Sequence, residues 1–298
     1  MAVNKQYVRK EHYIPQFSIR PFEISHGFCL TVNLRATPIE ILQKKTENIM
    51  QEIDLYEVRD NAGNYVNRNE IENGYSKLEN YIAPKFRRVL TLLGSEEADI
   101  NFKNMIKTNE WADKEAALLL HLIVTLIRSP HLKNFIYDKE EIPDFMKSIF
   151  YRLMATSQGM AAKLAEEHLS GNRLKIAMQF LETNSDSILG TLIEHMMNNF
   201  QLRIYKTKGE TKFFLSDRPI LIQKFEGTDY LLPISPNICI GTTDLQPLKG
   251  NKISVYSQII YLPDDDVKNI NKKIIKNANE MLIIQGNEDV EFVKEWLV

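Results

Sequence analysis

Three polar side chains recur at four-residue intervals near the N-terminus, in the segment HYIPQFSIR: His12, Gln16 and Arg20. Residues four apart share one face of a strand and approximately one face of a helix, so either geometry puts the three on the same side. A neutral imidazole, an amide and a guanidinium on one face could bind an anion or transfer a proton. The other interpretation is an edge strand with a solvated polar face.

A second polar set interrupts the apolar run AALLLHLIVTLI, residues 116–127, which predicts a buried helix. His121 lies within this run and Arg128 follows it. A buried arginine needs a carboxylate or an anion as its partner. Glu79, on the preceding predicted helix, is the expected partner, whereas Glu72 is expected to be exposed. For His121 we expect a core role, and for Arg128 a role in a site.

A third candidate is the Ser216-Asp217 pair in the segment FFLSDRPI, where Pro219 restricts Arg218 to an extended conformation. An aspartate at the end of a strand commonly caps a turn through its own side chain. The alternative is a carboxylate that acts as a catalytic base or a metal ligand.

Together these residues support two hypotheses. The first is a hydrolase acting on a phosphodiester or another anionic substrate, with a divalent metal as a conceivable cofactor of unknown identity. The second is a non-catalytic protein, regulatory or defence-associated, that holds a small anionic ligand, a nucleic acid or another partner. The candidate catalytic residues are His12, Glu79 and Asp217, and the candidate substrate-binding residues are Gln16, Arg20, Arg128 and Ser216.

The segments HYIPQFSIRPF, YSKLE, IRSP, FFLSDRPI and LLPISP occur in this order along the chain. This pattern resembles the bacterial domain-of-unknown-function family 4238. The resemblance implies that the seven candidate residues belong to the family pattern, and it implies no activity. Ile19 stands where the family pattern prefers Leu. Arg218 stands where Asn is common, which places a cation beside Asp217.

The elements that must position these residues follow the order strands, helices, strands. We predict one α+β domain over residues 1–298, in which N-terminal and C-terminal strands form a mixed or antiparallel sheet on a central helical bundle. Pro15 and Pro21 predict an extended segment over residues 12–22. The predicted regions are strands at about 12–60, helices at about 68–200, strands at about 200–262 and a C-terminal helix at about 264–285.

Composition narrows the class of protein. The formal net charge is -2, so no global field favours DNA or an anionic membrane. The two cysteines, Cys29 and Cys239, have no CxxC spacing, so the sequence indicates neither a zinc site nor a redox pair. A reducing compartment is a simpler interpretation than a disulfide between them. The longest apolar run is too short to cross a bilayer and the N-terminus lacks an apolar signal segment, so we expect a cytoplasmic protein. P-loop and Rossmann phosphate motifs are missing.

Overall fold

The computed structural model describes residues 7–60, 62–130, 174, 178–184, 187–222, 228–244 and 258–297. The described residues form an N-terminal part rich in short strands, a helical part, and a C-terminal part that mixes strands with helices. Much of the helical region predicted over residues 68–200 lies outside the described residues, namely 131–173, 175–177, 185 and 186.

Short strands separated by turns make up the N-terminal part. They are β1 (Lys10–His12), β2 (Phe28–Asn33), β3 (Glu40–Lys45), β4 (Gln51–Ile53), β5 (Val58–Arg59) and β6 (Tyr65–Val66). The prediction of an extended segment over residues 12–22 is wrong beyond β1, because Gln16–Ile19 forms a helical turn, α1. Pro15 stands immediately before this turn, where its missing N–H is not needed and its carbonyl accepts the N–H of Ser18 at 2.9 Å.

Four helices form the helical part: α2 (Glu70–Gly94), α3 (Ala98–Lys107), α4 (Glu110–Ile127) and α5 (Ile188–Asn199). The apolar residues of α2 recur at steps of three and four, and this stripe is buried. Helix α4 is buried on all sides over residues 117–125, where it contacts α2, α3 and α5. No helix within the described residues is long and apolar enough to span a membrane.

A four-stranded mixed sheet packs on this bundle. It consists of β7 (Phe200–Thr207), β9 (Tyr230–Ser235), β10 (Ile238–Asp244) and β11 (Ile259–Leu262). The strand order is β11-β7-β10-β9. Because side chains alternate across a sheet, Leu202 and Ile204 of β7 face the helices, whereas Tyr205 faces the opposite side. That opposite side is covered by α6 (Asp264–Asn277).

A second four-stranded sheet lies beyond α6. It consists of β2 and β3 together with β8 (Leu215–Ser216) and β12 (Met281–Ile284), in the order β3-β2-β12-β8. Helix α7 (Glu288–Trp296) follows β12 in the chain. Val32 and Leu282 pack in the same apolar cluster as α6, whereas Cys29 and Ile283 face the N-terminal segment. All its neighbouring strands are antiparallel.

The α+β class is confirmed, and the structure changes two of its details. The expected single sheet is two four-stranded sheets and two two-stranded ribbons, β1-β4 and β5-β6, within the described residues, and only the second four-stranded sheet joins N-terminal with C-terminal strands. The predicted C-terminal helix begins at Asp264 as expected but ends at Asn277 rather than near residue 285. The apolar run MLII that follows forms β12, because it is buried between β2 and β8 in the second sheet.

Candidate functional site

The N-terminal segment is anchored to the helical part by its apolar residues and by one hydroxyl. The ring of Phe17 lies 5.1 Å from the ring of Phe86 and 5.2 Å from that of His121. The Ser18 hydroxyl lies 3.1 Å from His121 Nε2. Burial lowers the pKa of His121 to about 3, so this imidazole is neutral at physiological pH. The expected core role of His121 therefore agrees with its surroundings.

His12, Gln16 and Arg20 form a row on one side of this segment. Gln16 Nε2 lies 3.5 Å from His12 Nε2, and Arg20 Nη2 donates to Gln16 Oε1 at 3.4 Å. Burial and the charge of Arg128 lower the pKa of His12 to about 4, although a hydrogen bond with the Glu47 backbone opposes them. The imidazole is therefore neutral at physiological pH, and its Nε2 is able to accept a hydrogen bond from the Gln16 amide.

The distal end of this row opens into a cleft of about 510 Å³. The cleft is lined by Gln16, Arg20, Glu23, His26, Gly27, Phe28, Lys45, Thr46 and Glu47. Glu23 is occupied locally, since its carboxylate accepts the Gly27 N–H at 2.9 Å and the Thr46 hydroxyl at 2.7 Å. Arg20 is exposed and forms no ion pair within the described part of the chain, so its guanidinium is available to an anion.

Arg128 does not reach this cleft but ties the end of α4 to α2. Its side chain is 1% exposed, Nη1 contacts Glu79, and Nη2 lies 3.3 Å from Glu72. Its guanidinium lies over the ring of Tyr75, 4.6 Å from the centroid. The Tyr56 hydroxyl donates to the Arg128 carbonyl at 2.8 Å. The predicted pairing with Glu79 is confirmed.

The expectation that Glu72 is exposed is wrong, because its side chain is 16% exposed and contacts Arg128. Burial raises the pKa of Glu72, and the charge of Arg128 opposes this rise. Glu72, Tyr75 and Glu79 are spaced at three and four residues on α2, so they share one face of the helix. Two carboxylates and two aromatic rings thus surround one guanidinium.

Ser216 and Asp217 occupy a third place, at the end of β8. The Asp217 carboxylate accepts the N–H of Asn279 at 2.9 Å and the N–H of Glu280 at 2.7 Å. It therefore caps the turn between α6 and β12, a different segment from the local turn expected. Burial raises the pKa of Asp217, and the hydrogen bonds from those two N–H groups oppose this rise. Asp217 also lines a small pocket of about 20 Å³ near Thr125.

The seven candidates therefore occupy three neighbouring places, and the N-terminal segment lies between them. The charge of Arg128 contributes to the lowered pKa of His12. Burial raises the pKa of Tyr13, and the charge of Asp217 adds to this rise. No group of three or more histidine, cysteine, aspartate or glutamate side chains within the described residues could hold a metal ion.

Sequence reasoning missed several residues of these places. Tyr75 had a usable signal, because it lies midway between Glu72 and Glu79 on the face of α2 that meets Arg128. Glu11 had none. It is 0% exposed, yet it stands in the polar stretch VRKEHY, where nothing predicts burial.

The comparisons with known proteins identify the family of this chain. A family model described as "Protein of unknown function (DUF4238)" matches residues 10–289, nearly the whole chain. No curated protein and no solved structure gives a significant match. The matched range includes all seven candidate residues and both sheets. The chain belongs to the DUF4238 family.

Proposed function

We propose that the protein binds a small anionic ligand in the cleft at Gln16 and Arg20, without catalysing a reaction on it. The observation that carries this proposal is the arrangement of Arg20. Its guanidinium lines a cleft of about 510 Å³, and its hydrogen bond among the described residues goes to a neutral amide. Carboxylates and phosphates are the groups that a guanidinium binds best, because its paired N–H donors match their oxygens.

The surroundings of Arg20 support an anion rather than a cation. The lining carries two cations, Arg20 and Lys45, and two carboxylates, Glu23 and Glu47. The Glu23 carboxylate already accepts two hydrogen bonds, and Glu47 lies 3.7 Å from the Lys45 ammonium. The negative charges of the cleft are therefore partly satisfied, whereas the charge of Arg20 is not.

The row behind Arg20 supports its position. Gln16 is held between His12 and Arg20, so its carbonyl oxygen faces the guanidinium and its amide faces the imidazole. The neutral state of His12 keeps Nε2 available as an acceptor. We infer that this row limits the rotamers of Arg20 before a ligand arrives, which reduces the entropy lost on binding.

A phosphodiester hydrolase is the second candidate. The observation in its favour is the neutral imidazole of His12, which could accept a proton at the inner end of the row. Against it stand the contacts of the other groups that catalysis would need. Arg128 is bound to Glu72 and Glu79, and Asp217 is bound to two backbone N–H groups.

The first experiment tests whether an anion binds at the cleft. We expect inorganic phosphate to raise the melting temperature of the wild type above the value in chloride at equal ionic strength. Arg20→Gln should abolish this rise, and Arg87→Gln, at an exposed position on α2, should retain it. An equal rise in Arg20→Gln contradicts binding at the cleft.

Turnover is measured in the same preparations with bis(p-nitrophenyl) phosphate and Mg²⁺ or Mn²⁺. Binding without catalysis predicts no metal-dependent release of nitrophenolate by the wild type. Release that disappears in Asp217→Asn, while the variant still melts cooperatively, would establish the hydrolase instead.

A further inference from the structure

The carboxyl group of Glu11 is enclosed without a charged partner. The residue is 0% exposed, and Oε2 accepts the N–H of Tyr56 at 2.7 Å. Oε1 accepts no hydrogen bond, and Glu11 forms no ion pair with the described residues. An ionised carboxylate in such a place costs free energy, since neither water nor a cation compensates for lost hydration.

The crevice beside Glu11 has an acidic lining, which includes Glu57, Glu70 and Glu72. The titratable and charged groups on the elements packed around Glu11 are Arg9, Lys10 and His12 on or beside β1, Glu52 opposite Glu11 on β4, Asp54, Tyr56 and Glu57 in the loop that follows, Arg68 before α2, Glu70 and Glu72 on α2, and Arg128 at the end of α4. The three guanidinium groups are already paired, Arg9 and Arg68 with Asp54 and Arg128 with Glu72 and Glu79.

A proton is the simplest group that can neutralise Glu11 here. The crevice has about 0 Å³ of room for water, so a hydrating molecule does not fit. The described residues also offer no set of three ligands that could hold a metal ion. The neutral acid is therefore the form of the buried carboxyl that costs the least free energy.

The strand that carries Glu11 is held by few contacts. Strand β1 pairs with β4 over three residue pairs. The side chain of Asn69 accepts the Val8 N–H at 2.9 Å and donates to the Val8 carbonyl at 2.8 Å. The Asp54 N–H donates to the Arg9 carbonyl at 2.8 Å, the Tyr13 N–H donates to the Met50 carbonyl at 3.1 Å, and Glu11 accepts the Tyr56 N–H. A segment with so few contacts can open locally without global unfolding.

We propose that Glu11 is a pH-sensitive latch, protonated while β1 is docked and ionised when β1 is released from the helical part. Burial raises the pKa of Glu11 from 4.5 to about 7, the Tyr56 N–H opposes this rise, and Glu72, Glu57 and Asp54 reinforce it. Because the docked carboxyl holds its proton more tightly than the released one, docking weakens as the pH rises from 4.5 to 7.

Hydrogen exchange of the amides of Val8, Tyr13 and Tyr56, which are hydrogen-bonded when β1 is docked, tests this latch. After correction for intrinsic rates, the opening constant of the wild type should rise about tenfold between pH 6 and pH 8. Glu11→Gln should abolish the rise. Glu52→Gln, at the exposed partner of Glu11 in the ribbon, should retain it.

An opening constant that stays level in the wild type, or that rises equally in Glu11→Gln, overturns the latch. If Glu11→Gln does not fold, the wild type alone decides by ¹³C NMR titration of the Glu11 carboxyl. A midpoint near 7 supports the latch, and a midpoint near 4.5 overturns it. None of these measurements requires a ligand in the cleft.

Discussion

At the scale of single residues, Arg128 is a buried cation whose partners all come from its protein surroundings. Its guanidinium is buried, contacts two carboxylates on α2 and lies over the ring of Tyr75. A pair of this kind contributes little relative to an apolar replacement of all its members, but removal of one partner leaves the others uncompensated. We therefore interpret Arg128 as a structural residue that stabilises the packing of α4 on α2.

The variant Arg128→Met tests this interpretation. It keeps the volume of the side chain but leaves Glu72 and Glu79 facing each other. We expect the free energy of unfolding in urea to fall by about 3 kcal/mol. The exposed control Arg87→Met should change it by less than about 0.5 kcal/mol. A loss in Arg128→Met no larger than that of the control would remove the structural role and revive a role in ligand binding.

Asp217→Asn distinguishes capping from catalysis. Asparagine keeps one acceptor oxygen but loses the charge, so one of the N–H groups of Asn279 and Glu280 is left without its acceptor. We expect a loss of about 2 kcal/mol in the free energy of unfolding. The change in melting temperature on addition of phosphate should be unaltered. Asp113→Asn, on an exposed ion pair with Lys85, serves as the control.

The buried imidazole of His121 makes stability depend on pH. Its pKa is about 3 in the folded protein against 6.5 in a free side chain, so the unfolded chain binds the proton more tightly. Stability is therefore lost as the pH falls below 6.5, by about 2 kcal/mol at pH 5 from this group alone. In His121→Gln the fall between pH 7 and pH 5, measured by urea titration, should be smaller by that amount. An unchanged fall would show that His121 is protonated in the fold.

Local periodicity explains which residue contacts sequence could predict. The row at His12 and the pairing of Arg128 with Glu79 follow from spacings of four residues and from the need of a buried cation for a carboxylate. The cap formed by Asp217 could not be predicted, because its partners Asn279 and Glu280 come about sixty residues later. The burial of Glu11 likewise depends on how β1 docks.

At the scale of elements, the start of α5 depends on a close approach of backbone atoms. The Ser187 hydroxyl accepts the N–H of Gly190 at 2.9 Å and so caps the helix. A Cβ on Gly190 would lie 1.7 Å from the carbonyl oxygen of Asn184. Only glycine fits between the cap and the turn that precedes it.

Gly190→Ala should therefore destabilise the protein, by about 2 kcal/mol or more, because the backbone of residue 184 must move. Gly94→Ala is the matched control, since a Cβ there meets nothing within 4 Å at the end of α2. That control should be neutral or stabilising by up to about 1 kcal/mol. Equal melting temperatures for the two variants would contradict the close approach.

The starts of two helices could be predicted from the sequence, whereas the short strand β12 could not. The stripe of α2 and the acidic start of α6 are local signals, and both helices begin near the predicted residues. The four residues of β12, MLII, are all apolar, so they show no alternation that would distinguish a strand from a helix. Its neighbours β2 and β8 are remote in sequence and decide its conformation.

At the scale of the whole molecule, the second sheet brings the two ends of the chain together. Strand β2 pairs with β12, so residues near 30 lie beside residues near 283. Helix α6 shares its apolar cluster with strands of both sheets. An arrangement of this kind predicts that the described residues unfold as one cooperative unit, and the single domain expected over residues 1–298 stays a prediction.

Two tryptophans allow that prediction to be tested. Trp111 packs on Phe102 in the helical part, and Trp296 lies in α7 with the Lys272 ammonium 4.0 Å from its ring centroid. Trp111→Phe and Trp296→Phe leave one reporter each. We expect both urea transitions, followed by fluorescence, to have midpoints that agree with those from far-ultraviolet circular dichroism. Separate fluorescence and circular dichroism midpoints within one variant would instead indicate two domains.

We propose that anions bind at the cleft and not at the buried polar groups. Titration of the ¹⁵N-labelled wild type with inorganic phosphate, followed by backbone amide shifts, distinguishes these places. We expect saturable shifts at Gln16, Arg20 and Gly27, with little change at Ser129 and Asp217. Saturable shifts centred on Ser129 and Asp217, with the cleft amides unmoved, would contradict it.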